Sequence, residues 1–428
     1  VDTIRVAQGT YYPFQYIIIN ECGVPDTLSE VDRTVSFDIP DSTVVLGGYP
    51  AGGGSDDERD WTCNKTILCG DIGIPGDSSD NSYHVVTTFD VDSVTVVDGF
   101  CIRDGFADFP GHPANSGGGW FNRSFQDGYS NPRILNCTFI NNEAISDGGA
   151  LYNDGGGSGN SSPYLFNCEF YENNASYGGA IYNYGGYSGI SSPTIINTII
   201  SGNQANVQGG GMLNNGGQVG NANPLIVNCI FSGNASMQDG GAMFNHTDND
   251  GFCSPVVINT TFSGNLAVMN GGAILSEAEQ PSVSDPVFYN CIFWNNISSN
   301  GPVFFNVFSQ PSVSYSIIQD GGMSNDINDA TVTLGNAPTI DVEGNKFNTG
   351  PLFVFAPAGL LAPNTSGDFH FAFTSPAIDM GTNILNSEPF DLDGKVRIQG
   401  DSIDIGPYEI SLPECGDYGN VIYVDISA

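Results

Sequence analysis

The sequence predicts an all-β chain wound as a right-handed parallel β-helix, with about 30 residues per rung in its centre. Three observations predict it. The tetrad Asn-Cys-x-Phe, or a close variant, begins at Asn136, Asn167, Asn197, Asn228, Asn259 and Asn290, in steps of 30 or 31 residues. A proline stands four residues ahead of each asparagine, from Pro132 to Pro286, and a Gly-Gly-Ala step follows at Gly148, Gly178, Gly240 and Gly271. Between them lie short alternating runs broken by Gly, Asn, Ser and Asp, with no stretch of helical period. A fixed period means a stacked array, and 56 glycines suit many tight corners.

The first element expected is a strand over Asp2–Val6, followed by strands within Thr34–Leu46 and Tyr83–Val86. Ser93–Ile102 reads as a degenerate early rung, and Pro311–Ile318 as a late, shortened one. Clean repeats therefore run over about 93–320. No charge run or Ser/Pro tract divides the chain, so residues 1–410 read as one elongated body and 411–428 as a linking strand. Winding throughout would give roughly 14 rungs and a rod of about 65 Å at one strand spacing per rung.

Residues at the same step lie above one another in such a stack. The Phe139, Phe170, Phe231, Phe262 and Phe293 column and the Ala-Ile or Ala-Leu-Tyr column are expected to fill the core. The column Asn136, Asn167, Asn197, Asn228, Asn259 and Asn290 is expected to form an inward amide ladder. Cys137, Cys168, Cys229 and Cys291 share one phase, where Thr198 and Thr260 substitute, which suits a packed column. Of the remaining cysteines, Cys63 and Cys69 are near enough in sequence to bridge, and Cys22 and Cys415 lie toward opposite ends.

Ten basic residues against 47 acidic ones give a net charge of −37. That balance excludes nucleic acid and disfavours anionic membranes and uronate polymers. No signal peptide or membrane-spanning run is present, and the opening at Val1 reads as a mature or partial form.

These residues carry a resemblance. Gly-Gly-Ala-Ile and Phe-x-x-Asn steps, as in Phe139–Asn142 and Phe170–Asn173, resemble the repeats of polymorphic outer-membrane autotransporters. Ser375–Gly381, Asp391–Arg397, Asp404–Glu409 and the early Asp2–Pro13 are similar to secreted bacterial β-helix proteins of the choice-of-anchor Q type. The resemblance implies an extracellular or cell-surface protein with no assigned chemistry. Members of that family open with a Tyr-Val-Asp strand and a capping helix; here that strand stands at the other end, in Val421–Ala428.

Candidate chemistry is sparse. A lyase needs a basic proton abstractor beside metal-held carboxylates, and a hydrolase needs clustered Asp. Arg103, Arg123 and Arg133 show no acidic cluster at repeat spacing, and His84, His112, His246 and His370 stand isolated in sequence. Asp391 and Asp393 precede a glycine turn, a hard-oxygen arrangement suited to Ca²⁺, with Asp379 or Asp404 as further ligands. Hydrogen bonding of those carboxylates to the turn backbone is the competing reading. Polar loop tips such as Asp154–Ser162 and Tyr184–Ser192 are places for glycan contact.

Two functions follow. One is a structural subunit joined to copies of itself head-to-tail, with Val421, Ile422, Tyr423 and Val424 adding beside Thr3, Ile4, Arg5 and Val6 of the next unit. The other is a monomeric surface adhesin or glycan-binding β-helix.

Overall fold

The central rungs of the solenoid are built from short strands because the sequence allows only two to five extended residues between corners. In the rung from Arg133, Arg133–Leu135 enters a first sheet, Thr138–Ile140 a second and Leu151–Asp154 a third, with the short Glu143–Ala144 between the last two. Corners fall on residues with positive φ, such as Asn136 at 52° and Asn141 at 55°. The structure, a computed structural model, describes residues 2–13, 32–319 and 344–410. The linking strand, and with it Val421, Ile422, Tyr423 and Val424, lies outside the described residues, as do Cys22 and Cys415.

All pairing between rungs is parallel, with ten strands in the first sheet, eleven in the second and nine in the third. The register steps by a whole rung, so that Phe139 faces Phe170, then Ile200, Phe231, Phe262 and Phe293. These side chains fill the core, and the Phe139 and Phe170 rings stack 4.6 Å apart within 1° of parallel. Ala150, Leu151, Ala180 and Ile181 join them. Tyr152 and Tyr182 point to the opposite face, where they form a covered aromatic stripe with Phe121, Leu213 and Phe244. Over the described residues the eleven strands of the second sheet make a stack of about 48 Å, not 65.

The shortfall has a cause. Winding ends at Lys346–Phe347, the last strand of the second sheet. Residues 350–410 are not rungs, as a single β-helix over 1–410 would require. They turn back over the outer face of the second sheet as a strap whose only regular pair is antiparallel, Phe353–Phe355 with Asp368–Phe371. Phe369, Phe371, Ala377, Ile405 and Tyr408 cover Ile230, Ile292 and Ile317. Along one side the strap lies on the corners Gly202, Gly233 and Gly264. A Cβ on Gly233 would stand 2.1 Å from Asn364 O, and its φ of +56° also excludes most side chains.

The core asparagines are not the expected ones. The inward ladder is Asn142, Asn173, Asn203, Asn234, Asn265 and Asn296, each donating Nδ2 to the next Oδ1 at 2.8–3.1 Å. Each also gives its Nδ2 to a core carbonyl, as Asn203 does to Phe170 O at 2.9 Å. A second inward ladder runs Asn122, Asn153, Asn183, Asn214 and Asn245.

Candidate functional site

The column from Asn136 faces outward. At that corner the inward position belongs to the next residue: Cys137, Cys168, Cys229 and Cys291 are buried, with each thiol against backbone carbonyls. The asparagines are buried only where the strap lies over them, at Asn228, Asn259 and Asn290, while Asn167 is exposed. Their amides still bond along the stack, Asn290 to Asn259 to Asn228 to Asn197 at 3.0–3.2 Å, and Asn167 to Asn136 at 2.7 Å. All eight described cysteines are free, so Cys63, exposed, and Cys69, buried, are not bridged.

The four aspartates expected to hold Ca²⁺ lie in the strap, where both oxygens of Asp391 and Asp404 and one of Asp393 accept hydrogen bonds. Asp391 accepts from the N–H groups of Asp393, Lys395 and Glu409 at 2.7–3.0 Å. Asp404 accepts from those of Asp379 and Ile410 at 2.8 and 2.9 Å. Asp393 is bound by Lys395 Nζ and His370 Nε2, each at 2.9 Å. Asp379 itself sits at a positive-φ corner. Among the described residues no three His, Cys, Asp or Glu side chains are grouped to hold a metal.

Arg397 brings a positive charge to these carboxylates. It is 1% exposed, with Nη1 3.2 Å from Glu409 and Nη2 on the carbonyls of Asp404 and Gly406. One guanidinium thus faces Glu409, Asp391 and Asp404, and burial raises all three carboxyls. Glu409 is pushed up to about 8, chiefly by burial. Because that lies above the 4.5 of a free glutamate, the folded strap binds this proton more tightly than the unfolded chain does. The resulting stability is complete below 4.5 and is lost as pH rises to about 8. Strap unfolding, followed by the fluorescence of Trp294 beneath it, is expected to become easier over that interval. The slope should flatten in Glu409→Gln; an identical slope in both proteins would refute the assignment.

The histidines and arginines are less isolated than their spacing suggests. Arg123 and Asp154 are cross-strand neighbours in the third sheet, 3.2 Å apart, and His112 Nε2 reaches the same carboxylate at 3.5 Å. The other Asp154 oxygen accepts from Gly156 N. His84 Nδ1 lies 2.9 Å from Gly117 O, and burial draws its pKa down to about 4. His246 pairs with Glu277, His370 with Asp368 and Asp393, and Arg103 with Asp104. Arg133 lies over the Tyr164 ring.

At the start of the chain Thr3, Ile4, Arg5 and Val6 lie in β1 (Asp2–Ala7), the terminal strand of the first sheet. It pairs with Thr43–Tyr49 on one side, and no described residue pairs with its other edge. Ile4 is half exposed, and Arg5 makes a two-pronged ion pair with Asp56.

Residues 136–154 and 259–277 match the Chlamydia polymorphic membrane protein repeat. These are two of the rungs that carry the Phe column. No curated protein matches the chain. Among solved structures it is similar to pectate lyase Pel9A, at 13% identity and a TM-score of 0.41, over 96% of this chain and 88% of that one.

Proposed function

We propose that this protein is a non-enzymatic structural β-helix displayed outside the cell and joined head-to-tail to copies of itself. The observation that carries the proposal is the outer edge of β1, a row of backbone donors and acceptors with no partner among the described residues. Such an edge recruits a strand unless something covers it. A strand from the next unit, Val421–Val424, has the β-branched and aromatic character to add there by β-augmentation. A contact of this kind does not close on itself and propagates as a filament.

The two stretches that match a membrane-protein repeat support display at a cell surface. A monomeric adhesin would share the fold but not the assembly, so removal of Gly419–Ala428 separates the two readings. The full chain is expected to form filaments visible by negative-stain microscopy, and the truncated chain to remain a folded single unit. Filaments of the same width from the truncated chain, or a full chain that stays monomeric at every concentration, would sink the proposal.

A further inference from the structure

Over half its length the outward asparagine column is occupied by this chain's own backbone. Asn290 grips Thr382 from both sides, its Oδ1 accepting from Thr382 N at 2.8 Å and its Nδ2 donating to Thr382 O at 3.1 Å. Two rungs back, Asn228 donates to Phe390 O at 2.9 Å. There the strap leaves the column, which continues through Asn197, Asn167 and Asn136.

The chain of amide bonds breaks within that uncovered half. Asn197 accepts from Asn228, and Asn167 donates to Asn136, but no bond joins Asn167 to Asn197. One acceptor, Asn167 Oδ1, and one donor, Asn197 Nδ2, are left without a partner among the described residues. They are the same two kinds of group with which the single amide of Asn290 holds the N–H and C=O of Thr382. Beside Asn167 a cleft of about 260 Å³ opens on the second sheet, with Trp61, Lys65, Asn136, Thr138 and Glu169 in its lining. Thr138 and Glu169 continue, rung for rung, the column of Ile199 and Ile230 that the strap buries. The covered part of this face is apolar and the open part is polar, so the open part stays hydrated rather than drawing the strap further along.

We propose that this cleft and the adjoining corner of Asn197, one rung beyond its lining, dock an extended polypeptide segment of a partner protein, neutral or basic in charge, through the amides of Asn167 and Asn197. The argument is continuity: the same column, on the same corner, already binds extended backbone two rungs away. Side-chain amides that read peptide groups accept many sequences, while the net charge of −37 disfavours an acidic one. An oligosaccharide is the weaker fit, because the Arg59 guanidinium already lies over the Trp61 ring, 5.1 Å from its centre.

The test presents the full chain to a phage-displayed library of random peptides and, in parallel, to an array of neutral and acidic glycans. Peptides are expected to be enriched. Their affinity is expected to fall about tenfold in Asn197→Asp, which exchanges the donor for an acceptor on a residue type that tolerates the corner. Binding is expected to vanish in Glu169→Trp, which fills the cleft, with both melting temperatures close to that of the native chain. Glycan binding without peptide binding, peptides indifferent to both substitutions, or no binding at all would each overturn the proposal.

Discussion

Replacing Arg397 by methionine is expected to unfasten the strap while the rungs stay wound, at a cost of about 3–5 kcal/mol, the range for removing one partner of a buried ion pair. The expected loss is large because Arg397 faces three carboxyls: Asp391 and Asp404, and Glu409 once it ionises, would remain buried without a counter-charge. The strap has little regular structure of its own beyond one antiparallel pair, so its attachment depends on this network and on the isoleucines beneath it. Urea unfolding should split into an early phase, in which Ile230, Ile292 and Ile317 become accessible to a hydrophobic dye, and a late one in which the solenoid melts. Acid should partly restore the variant by neutralising the carboxyls. A single transition at the native midpoint would show that Arg397 does not hold the strap.

A comparable loss is expected at the opposite face of the same corner architecture. Asn203 Oδ1 accepts both the backbone N–H and the side-chain amide of Asn173, at 3.0 and 2.9 Å, and its Nδ2 serves Phe170 O and Asn234 Oδ1. In Asn203→Leu the Asn173 N–H stays buried with nothing to bond, the Asn173 amide keeps only Phe139 O, and the Phe170 carbonyl loses its side-chain donor. At about 1–3 kcal/mol for the orphaned N–H and about 1 kcal/mol for each further bond lost, the variant should lose roughly 3–6 kcal/mol. Asn167→Gly provides the contrast: it keeps the positive φ and removes one exposed amide bond, for less than about 1 kcal/mol. Paired denaturation curves decide the matter, and equal losses would mean that the two columns do not differ in role.

That contrast also shows what was legible in the sequence. The rung length and the Phe column follow from the period, since an in-register parallel stack places residues one period apart on the same spot. The facing of a corner residue does not follow. Strand alternation tells inside from outside only while the backbone stays extended, and Asn136 breaks it by turning left-handed, which hands the inward position to Cys137. Both asparagine columns share one period, so period alone could not choose between them.

The strap was hidden for a different reason, because it repeats nothing. A trace of it did lie in the rungs. Ser201-Gly202, Ser232-Gly233 and Ser263-Gly264 occupy the corner where uncovered rungs carry Ile140-Asn141 and Tyr171-Glu172. Small residues at three successive rungs mark where another part of the chain comes close. The aspartates of Asp391–Arg397 read as a cation site from residue type alone, and the folded strap brings the Arg397 guanidinium to the same carboxylates.

The most direct test of head-to-tail joining is hydrogen exchange at the backbone amides of Asp2–Ala7, measured on dilute and on concentrated full-length chain. The account predicts that those outer-edge amides exchange freely when dilute and become protected as units join, while amides of the central rungs stay unchanged. Exchange in Asp2–Ala7 that is equally fast at both concentrations, in a sample whose filaments are visible, would contradict it.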